Sequence, residues 1–391
     1  MSCVIFGAGK IARGFIGHLL YLSNIPVTYV EKVDSLVDLL NERGHYTVNV
    51  LGAPEKNTDV KGYKALHYRD EAEVIDVIVH ADCVFHAVGG KNLAGIAPLL
   101  AKGIEVRAKT GKPLNIITCE NWTKPDEVDR ANITPLLSEE AKKYFEEKVG
   151  IAEAVILRSG IDATPEQKEK DPLWVNVQNY WDLPFDSSKL KAPMPNGMIC
   201  LHPMPDFGGF LQRKFYTYNA ANGTTSYVGS MLGYIYIAEA AHDERILKLL
   251  DGVYHETAAA LCKKQNYSFD KQWAFTRTSL NKLQDYNIVD TLERNARDPI
   301  RKLGPNDRLV GSARLCLEEG VKPEALSVSI AAAIYYHSPS DPIAVDLENM
   351  RKTKGVDYVL EHVCQIDPNG ELALLVKDKI NMLKGKGYIH D

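Results

Sequence analysis

A short apolar run that ends in closely spaced glycines constrains this chain more than any other feature. Residues Cys3 to Phe6 read as a buried strand. Gly7, Gly9 and Gly14 follow it in the stretch FGAGKIARGFIG, in a turn that opens a helix. Gly7 permits the tight turn. Gly9 lets backbone N–H groups approach a pyrophosphate, which a helix N-terminus favours. The spacing GxGxxxxG is two residues looser than the standard dinucleotide fingerprint, with Ala12 at the third small position. Gly7, Ala8, Gly9, Lys10 and Ile11 are therefore candidate cofactor contacts. A second strand, Pro26 to Val30, ends on Glu31. A carboxylate there can accept the adenosine ribose hydroxyls and repel a 2′-phosphate, so NAD(H) is expected over NADP(H); Lys32 weakens that preference without reversing it.

Further along, 34–43 reads as a helix. HYTVNVL, from His45 to Leu51, alternates and is rich in β-formers, and Lys61 to His67 is expected to pair with it as a small antiparallel insertion. After a helix over 70–80, Cys83 to Val88 is a strand that runs into Gly89-Gly90. Small residues at that carboxyl end would let the loop pass the nicotinamide side of a dinucleotide, which makes Val88 and Gly89 candidate contacts. Leu114 to Cys119 is another buried strand, ending at Glu120-Asn121. Asn121 is placed either to face a ligand in the crevice or to cap the next helix. A helix over 125–148 is interrupted near Pro135, strands follow at 152–157 and 173–180, and DATPEQKEKDP between them reads as a surface loop.

The pattern changes near residue 192, where Pro193, Pro195, Pro203 and Pro205 cluster. Long helical segments take over at 207–222, 228–239, 243–263, 283–294, 307–319 and 323–336. The expected organisation is an α/β Rossmann-like domain with a small antiparallel insertion over 1–192 and a mostly α-helical domain over 193–391. With 391 residues and 45% hydrophobic content, two domains can each bury a core. A net charge of -5 supplies no field for nucleic acid or anionic membranes. No apolar run is long enough to span a bilayer, so neither membrane nor nucleic acid is expected as a partner, and the expected location is cytoplasmic. The 7 cysteines form no CxxC pair and are expected to be reduced, with no metal site.

Two polar groupings carry chemistry. On the helix over 207–222, Asn219 and Asn222 share a face, with Lys214 on a neighbouring stripe beside apolar Phe210, Phe215 and Tyr218. A lysine in a closed crevice loses its proton more readily, because burial disfavours the ammonium. It could then take a hydroxyl proton while hydride leaves the same carbon for NAD⁺. The second grouping is Arg294, Arg297, Arg301, Lys302 and Arg308, which either holds an anionic substrate group or forms a solvated face.

These stretches together resemble the long-chain, metal-independent mannitol dehydrogenase family. The likeness spans nearly the whole chain: FGAGKIARGFIG, HYTVNVLG, NIITCEN at 115–121, QRKFYTYN at 212–219 and RNARDPIRKLGPNDRL at 294–309. The resemblance implies a Rossmann-like domain, a mostly helical domain and an active site between them. It implies NAD-linked interconversion of a sugar alcohol and a ketose, with mannitol 1-phosphate and fructose 6-phosphate as the default pair. Lys214 falls on the family's general acid/base. Asn219 and Asn121 fall on asparagines that hold the reacting oxygen. The family motif continues with histidine where this chain has Asn222, and an amide there can donate a hydrogen bond but cannot carry a proton. A hexuronate reductase, or another polyol or sugar-acid oxidoreductase, is the alternative of the same class; a non-catalytic NAD-binding scaffold is the alternative of another. A monomer or weak homodimer is expected.

Overall fold

Six parallel strands organise the first part of the chain: β1 (Cys3–Phe6), β2 (Val27–Glu31), β5 (Lys64–His67), β6 (Cys83–His86), β7 (Leu114–Thr118) and β8 (Val149–Glu153). Their spatial order is β5-β2-β1-β6-β7-β8. Successive connections therefore run outward from β1 in one direction and from β6 in the other. Open sheets of this kind bind ligands beyond the carboxyl ends of the strands at that reversal. Side chains alternate across the sheet as a pleated strand requires. Cys3 and Ile5 enter one core with Tyr29, Phe85 and Ile117, while Val4 and Phe6 enter the other with Val30, Val84 and Ile116.

A second, four-stranded sheet has the order β4-β3-β10-β9. Its members are β3 (His45–Val50), β4 (Thr58–Lys61), β9 (Gly160–Ile161) and β10 (Val175–Val177). β3 pairs antiparallel with β4, but β10 joins β3 in parallel. The expected pairing of Lys61 to His67 with β3 holds only at Lys61. Only Thr58–Lys61 pairs there; Lys64–His67 turns away at Gly62 and Tyr63 and joins the main sheet beside β2. The polar segment read as a surface loop holds a short helix, Pro165–Lys170, started by a capping box between Thr164 and Gln167. β11 (Leu183–Asp186) and β12 (Leu201–Met204) pair as a separate ribbon.

The computed structural model describes residues 2–390, in two compact units that divide between Phe207 and Gly208. The second unit is helical around one core that includes Tyr227, Leu250, Val253, Leu261, Ile330 and Val376. Its longer helices are Ala220–Met231, Glu244–Gln265, Phe269–Leu283, Glu324–Ile334, Pro342–His362 and Glu371–Gly385. Two expected helices are misplaced. The segment over 283–294 is mainly the connection after Phe269–Leu283, a helix whose polar composition hid its period. The segment over 228–239 spans the end of one helix and the start of another. Among the described residues no helix is long and apolar enough to cross a membrane.

Candidate functional site

The glycine turn lies at the reversal point of the parallel sheet. Gly7 has φ +89, and a Cβ added to it would come within 2.7 Å of the Ala87 carbonyl oxygen. The loops leaving β1 and β6 thus pass at a distance that only glycine allows. A Cβ on Gly9 would meet nothing within 4 Å, so the face of the turn beneath it is open. Gly14 lets the following helical turn lie against the second sheet, since a Cβ there would strike Val175 and Val177 at 2.5 and 2.6 Å. Glu31 is fastened to this turn. Its Oε2 accepts the Ala8 N–H at 2.7 Å, and its Oε1 accepts the N–H groups of Lys32 and Val33. Lys10 is paired with Asp162 at 2.8 Å.

Arg13, which the motif reading passed over, braces the turn from below. Its Nε donates to the Ala8 carbonyl at 2.7 Å, and a terminal nitrogen donates to the Leu173 carbonyl. The carbonyl of Arg13 itself accepts from Tyr46 Oη, which is hydrogen-bonded to Tyr29 Oη at 2.7 Å. Nothing in the local sequence marks this role, because the partners lie in distant strands.

Beyond β6, the N–H groups of Val88 and Gly89 donate to the two oxygens of Glu120 at 2.7 and 2.9 Å. Gly90 lies under the ring of Trp122. Asn121 is exposed between them, and the helix that follows is capped at Lys124 rather than at Asn121. The capping alternative for Asn121 therefore falls away.

In the second unit, the Lys214 segment is not one regular helix. An α-helix, Phe207–Lys214, passes into a π turn, Phe215–Asn219, and then into Ala220–Met231. The Ala220 N–H reaches back to the Phe215 carbonyl, the i→i−5 bond of a π turn. Such a turn holds one residue more than an α turn, so its register relates Lys214 to Asn219 rather than to Tyr218. Asn222 lies three residues beyond Asn219, one turn on in Ala220–Met231. An α period throughout would place Lys214 on a neighbouring stripe. The opposite side of the turn is pinned to Phe269–Leu283. Arg213 Nε donates to Gln272 Oε1 at 2.6 Å, Gln272 Nε2 donates to Thr217 Oγ1 at 3.0 Å, and Tyr218 packs on Phe275.

The same helix carries Lys282, a residue the sequence reading missed. Burial first, and repulsion from the Lys214 ammonium second, push its pKa down to about 8, against the pull of Asp290.

The basic segment docks beside this helix. Asn222 Nδ2 donates to Asn295 Oδ1 at 3.1 Å, Tyr227 Oη donates to the Ala296 carbonyl at 3.0 Å, and the Arg308 guanidinium lies over the Phe215 ring. Its cations differ in what they meet. Arg294 is paired with Asp290, and Arg301 with Asp298 and Asp307. Lys302 is buried and donates to the carbonyls of Asn295 and Arg297. Burial, then Arg308 and Arg301, lower its pKa to about 7. Arg297 is exposed and makes no ion pair among the described residues.

Two family profiles match the chain, one described as the mannitol dehydrogenase Rossmann domain over residues 1–197 and the other as the mannitol dehydrogenase C-terminal domain over 206–383. The chain belongs to the mannitol dehydrogenase family. Among solved structures, D-sorbitol dehydrogenase in substrate-free form is similar, with a TM-score of 0.84 at 14% identity over 99% of this chain and 94% of the other. Mannitol 2-dehydrogenase from Pseudomonas fluorescens, solved as a ternary complex with NAD and D-mannitol, superposes with a TM-score of 0.67 at 14% identity, over 99% of this chain and 92% of the other. Both show the shared fold.

This member of the mannitol dehydrogenase family is an NAD-dependent oxidoreductase, and its first unit fits that cofactor. The open face at Gly9 is where a pyrophosphate can reach backbone N–H groups, and the half-buried Glu31 carboxylate stands at the end of β2. Among the described residues no group of three or more His, Cys, Asp or Glu could hold a metal ion. Glu31→Ala is expected to narrow the preference for NAD(H) over NADP(H), read as the ratio of kcat/KM values. Equal kcat/KM with both cofactors in the wild type would overturn the role given to Glu31.

Proposed function

We propose that this chain oxidises a phosphorylated sugar alcohol and reduces the matching ketose phosphate, with mannitol 1-phosphate and fructose 6-phosphate as the first pair to test. In family terms this is a mannitol-1-phosphate 5-dehydrogenase. The observation that carries the reading is the π turn between Lys214 and Asn219, next to a docked basic segment. In the oxidative direction the hydride leaves the carbinol carbon for NAD⁺. Unprotonated Lys214 takes the hydroxyl proton, and the amide groups of Asn219 and Asn121 hold the reacting oxygen. In the reverse direction the Lys214 ammonium would return the proton to the carbonyl oxygen as its carbon takes the hydride that the reduced cofactor would supply. Asn121 and the dinucleotide contacts Gly7, Ala8, Gly9, Lys10, Ile11, Val88 and Gly89 belong to the first unit; Lys214, Asn219, Asn222 and the basic segment belong to the second.

Arg297 is the cation of that segment best able to take a substrate phosphate, because Arg294 and Arg301 are already neutralised by aspartates. A hexuronate carboxylate would suit the same guanidinium. The test is nicotinamide absorbance with NADH against ketose phosphates, hexuronates and free ketoses. Turnover of a ketose phosphate is expected, with Arg297→Ala raising its KM by about tenfold and leaving the KM for NADH unchanged. Turnover confined to neutral ketoses, or an unchanged substrate KM in Arg297→Ala, would overturn the phosphate reading.

A further inference from the structure

His86 ends β6 with its side chain fully buried between two carboxylates. Its Nε2 lies 2.7 Å from Asp129 Oδ2 and its Nδ1 lies 3.0 Å from Glu120 Oε1. Both carboxylates are themselves buried. A carboxylate on each ring nitrogen requires both to donate, which only the imidazolium can do. Burial alone would push this histidine down. Asp129 from the helix Pro125–Ile133 and Glu120 from the segment after β7 outweigh it and raise the pKa to about 9.

One cation between two anions leaves a net negative charge in the interior. The second oxygen of Glu120, and part of the first, are satisfied by the N–H groups of Gly89 and Val88. Asn92 Nδ2 closes the same loop by donating to the Val88 carbonyl at 2.7 Å. His86 thus fixes Glu120, and Glu120 fixes the loop that leaves β6 at the reversal point of the sheet. Gly89, at φ +86, is held there in a conformation that side chains rarely adopt.

We propose that His86 is a positioning residue for the nicotinamide half of NAD. It acts through Glu120 on the Val88–Gly89 loop, and it touches neither cofactor nor substrate. The proposal depends on NAD binding by the first unit and is independent of which alcohol is oxidised.

The test compares two probes on the full chain, NADH and ADP-ribose, which lacks the nicotinamide. In His86→Gln the Kd for NADH is expected to rise about tenfold while the Kd for ADP-ribose stays unchanged. Equal losses for both probes would mean that His86 only supports the fold, and no loss for either would mean that the loop does not need it; each result overturns the proposal. The wild type gives a second reading without any substitution. NADH affinity should fall as pH rises through about 9, where the imidazolium loses its proton, with ADP-ribose affinity flat. Asp129→Asn removes one of the two stabilising carboxylates and should move that midpoint down by about one pH unit or more. A midpoint that stays in place in Asp129→Asn would assign the pH dependence to another group and overturn the proposal.

Discussion

Lys214→Ala is expected to lose at least about a hundredfold in kcat while binding NADH as the wild type does, since general acid/base groups typically contribute 10²–10⁴-fold. The dinucleotide contacts proposed for this chain lie on the loops after β1, β2 and β6 in the first unit, and Lys214 belongs to the second. The substitution should also erase a pH dependence of known sign. Oxidation needs the unprotonated lysine, so wild-type kcat for the alcohol should rise with pH. Reduction needs the ammonium and should fall with pH. With alanine both profiles flatten over the range that the lysine controls. Lys282→Met makes a second comparison. It removes the cation that shares Lys214's neighbourhood, so the Lys214 limb of the oxidative profile should move to higher pH with kcat at the plateau retained. A Lys214→Ala enzyme as active as the wild type would end the mechanism proposed for this chain.

What could be read from the sequence was local. Gly7 and Glu31 declare themselves because turn chemistry and a strand's end are set by neighbouring residues, and the Rossmann-like fold with its helical second domain follows from that and from the change of period. The partner of a strand is not local. Lys61 to His67 reads as a single strand, but nothing in it says that one strand ends before Gly62 and that the next joins a different sheet. Buried charges are hidden in the same way. Arg13 and His86 look like ordinary members of their motifs until Leu173, Tyr46 and Asp129 arrive from elsewhere in the chain.

The π turn was illegible for a different reason. Amphipathic patterning assumes the α period, and one extra residue in a turn rotates every later side chain relative to the earlier ones. Asn219 and Asn222 keep their mutual relation, but Lys214 changes partners. The π turn therefore changes the spacing between the three residues that the α period implies. Small departures in backbone period matter most where several side chains must converge on one atom.

Asn222→His should change which substrates this enzyme prefers by about a hundredfold, and the direction follows from a chain of amides. The Thr291 carbonyl can only accept, so the Asn295 group 2.9 Å from it is Nδ2. That leaves Asn295 Oδ1 to accept from Asn222 Nδ2 at 3.1 Å. The amide of Asn222 is thereby oriented, with one of its two N–H groups engaged on Asn295 and its Oδ1 fixed as an acceptor. At this position the wild type offers an acceptor, so it should favour a substrate that presents a hydroxyl donor there. A protonated histidine in the same place can only donate. Losing a hydrogen bond to one substrate class and gaining one to the other is worth ~3 kcal/mol in the difference, about a hundredfold in the ratio of kcat/KM values. Asn295→Ala supplies the control. It frees the Asn222 amide to turn, so it should broaden the substrate range without adding a protonatable group. The measurement is kcat/KM for wild type, Asn222→His and Asn295→Ala across phosphorylated and neutral polyols and ketoses. The same ranking of substrates in all three proteins would remove Asn222 from the specificity of the site and leave Lys214 and Asn219 as its chemical core.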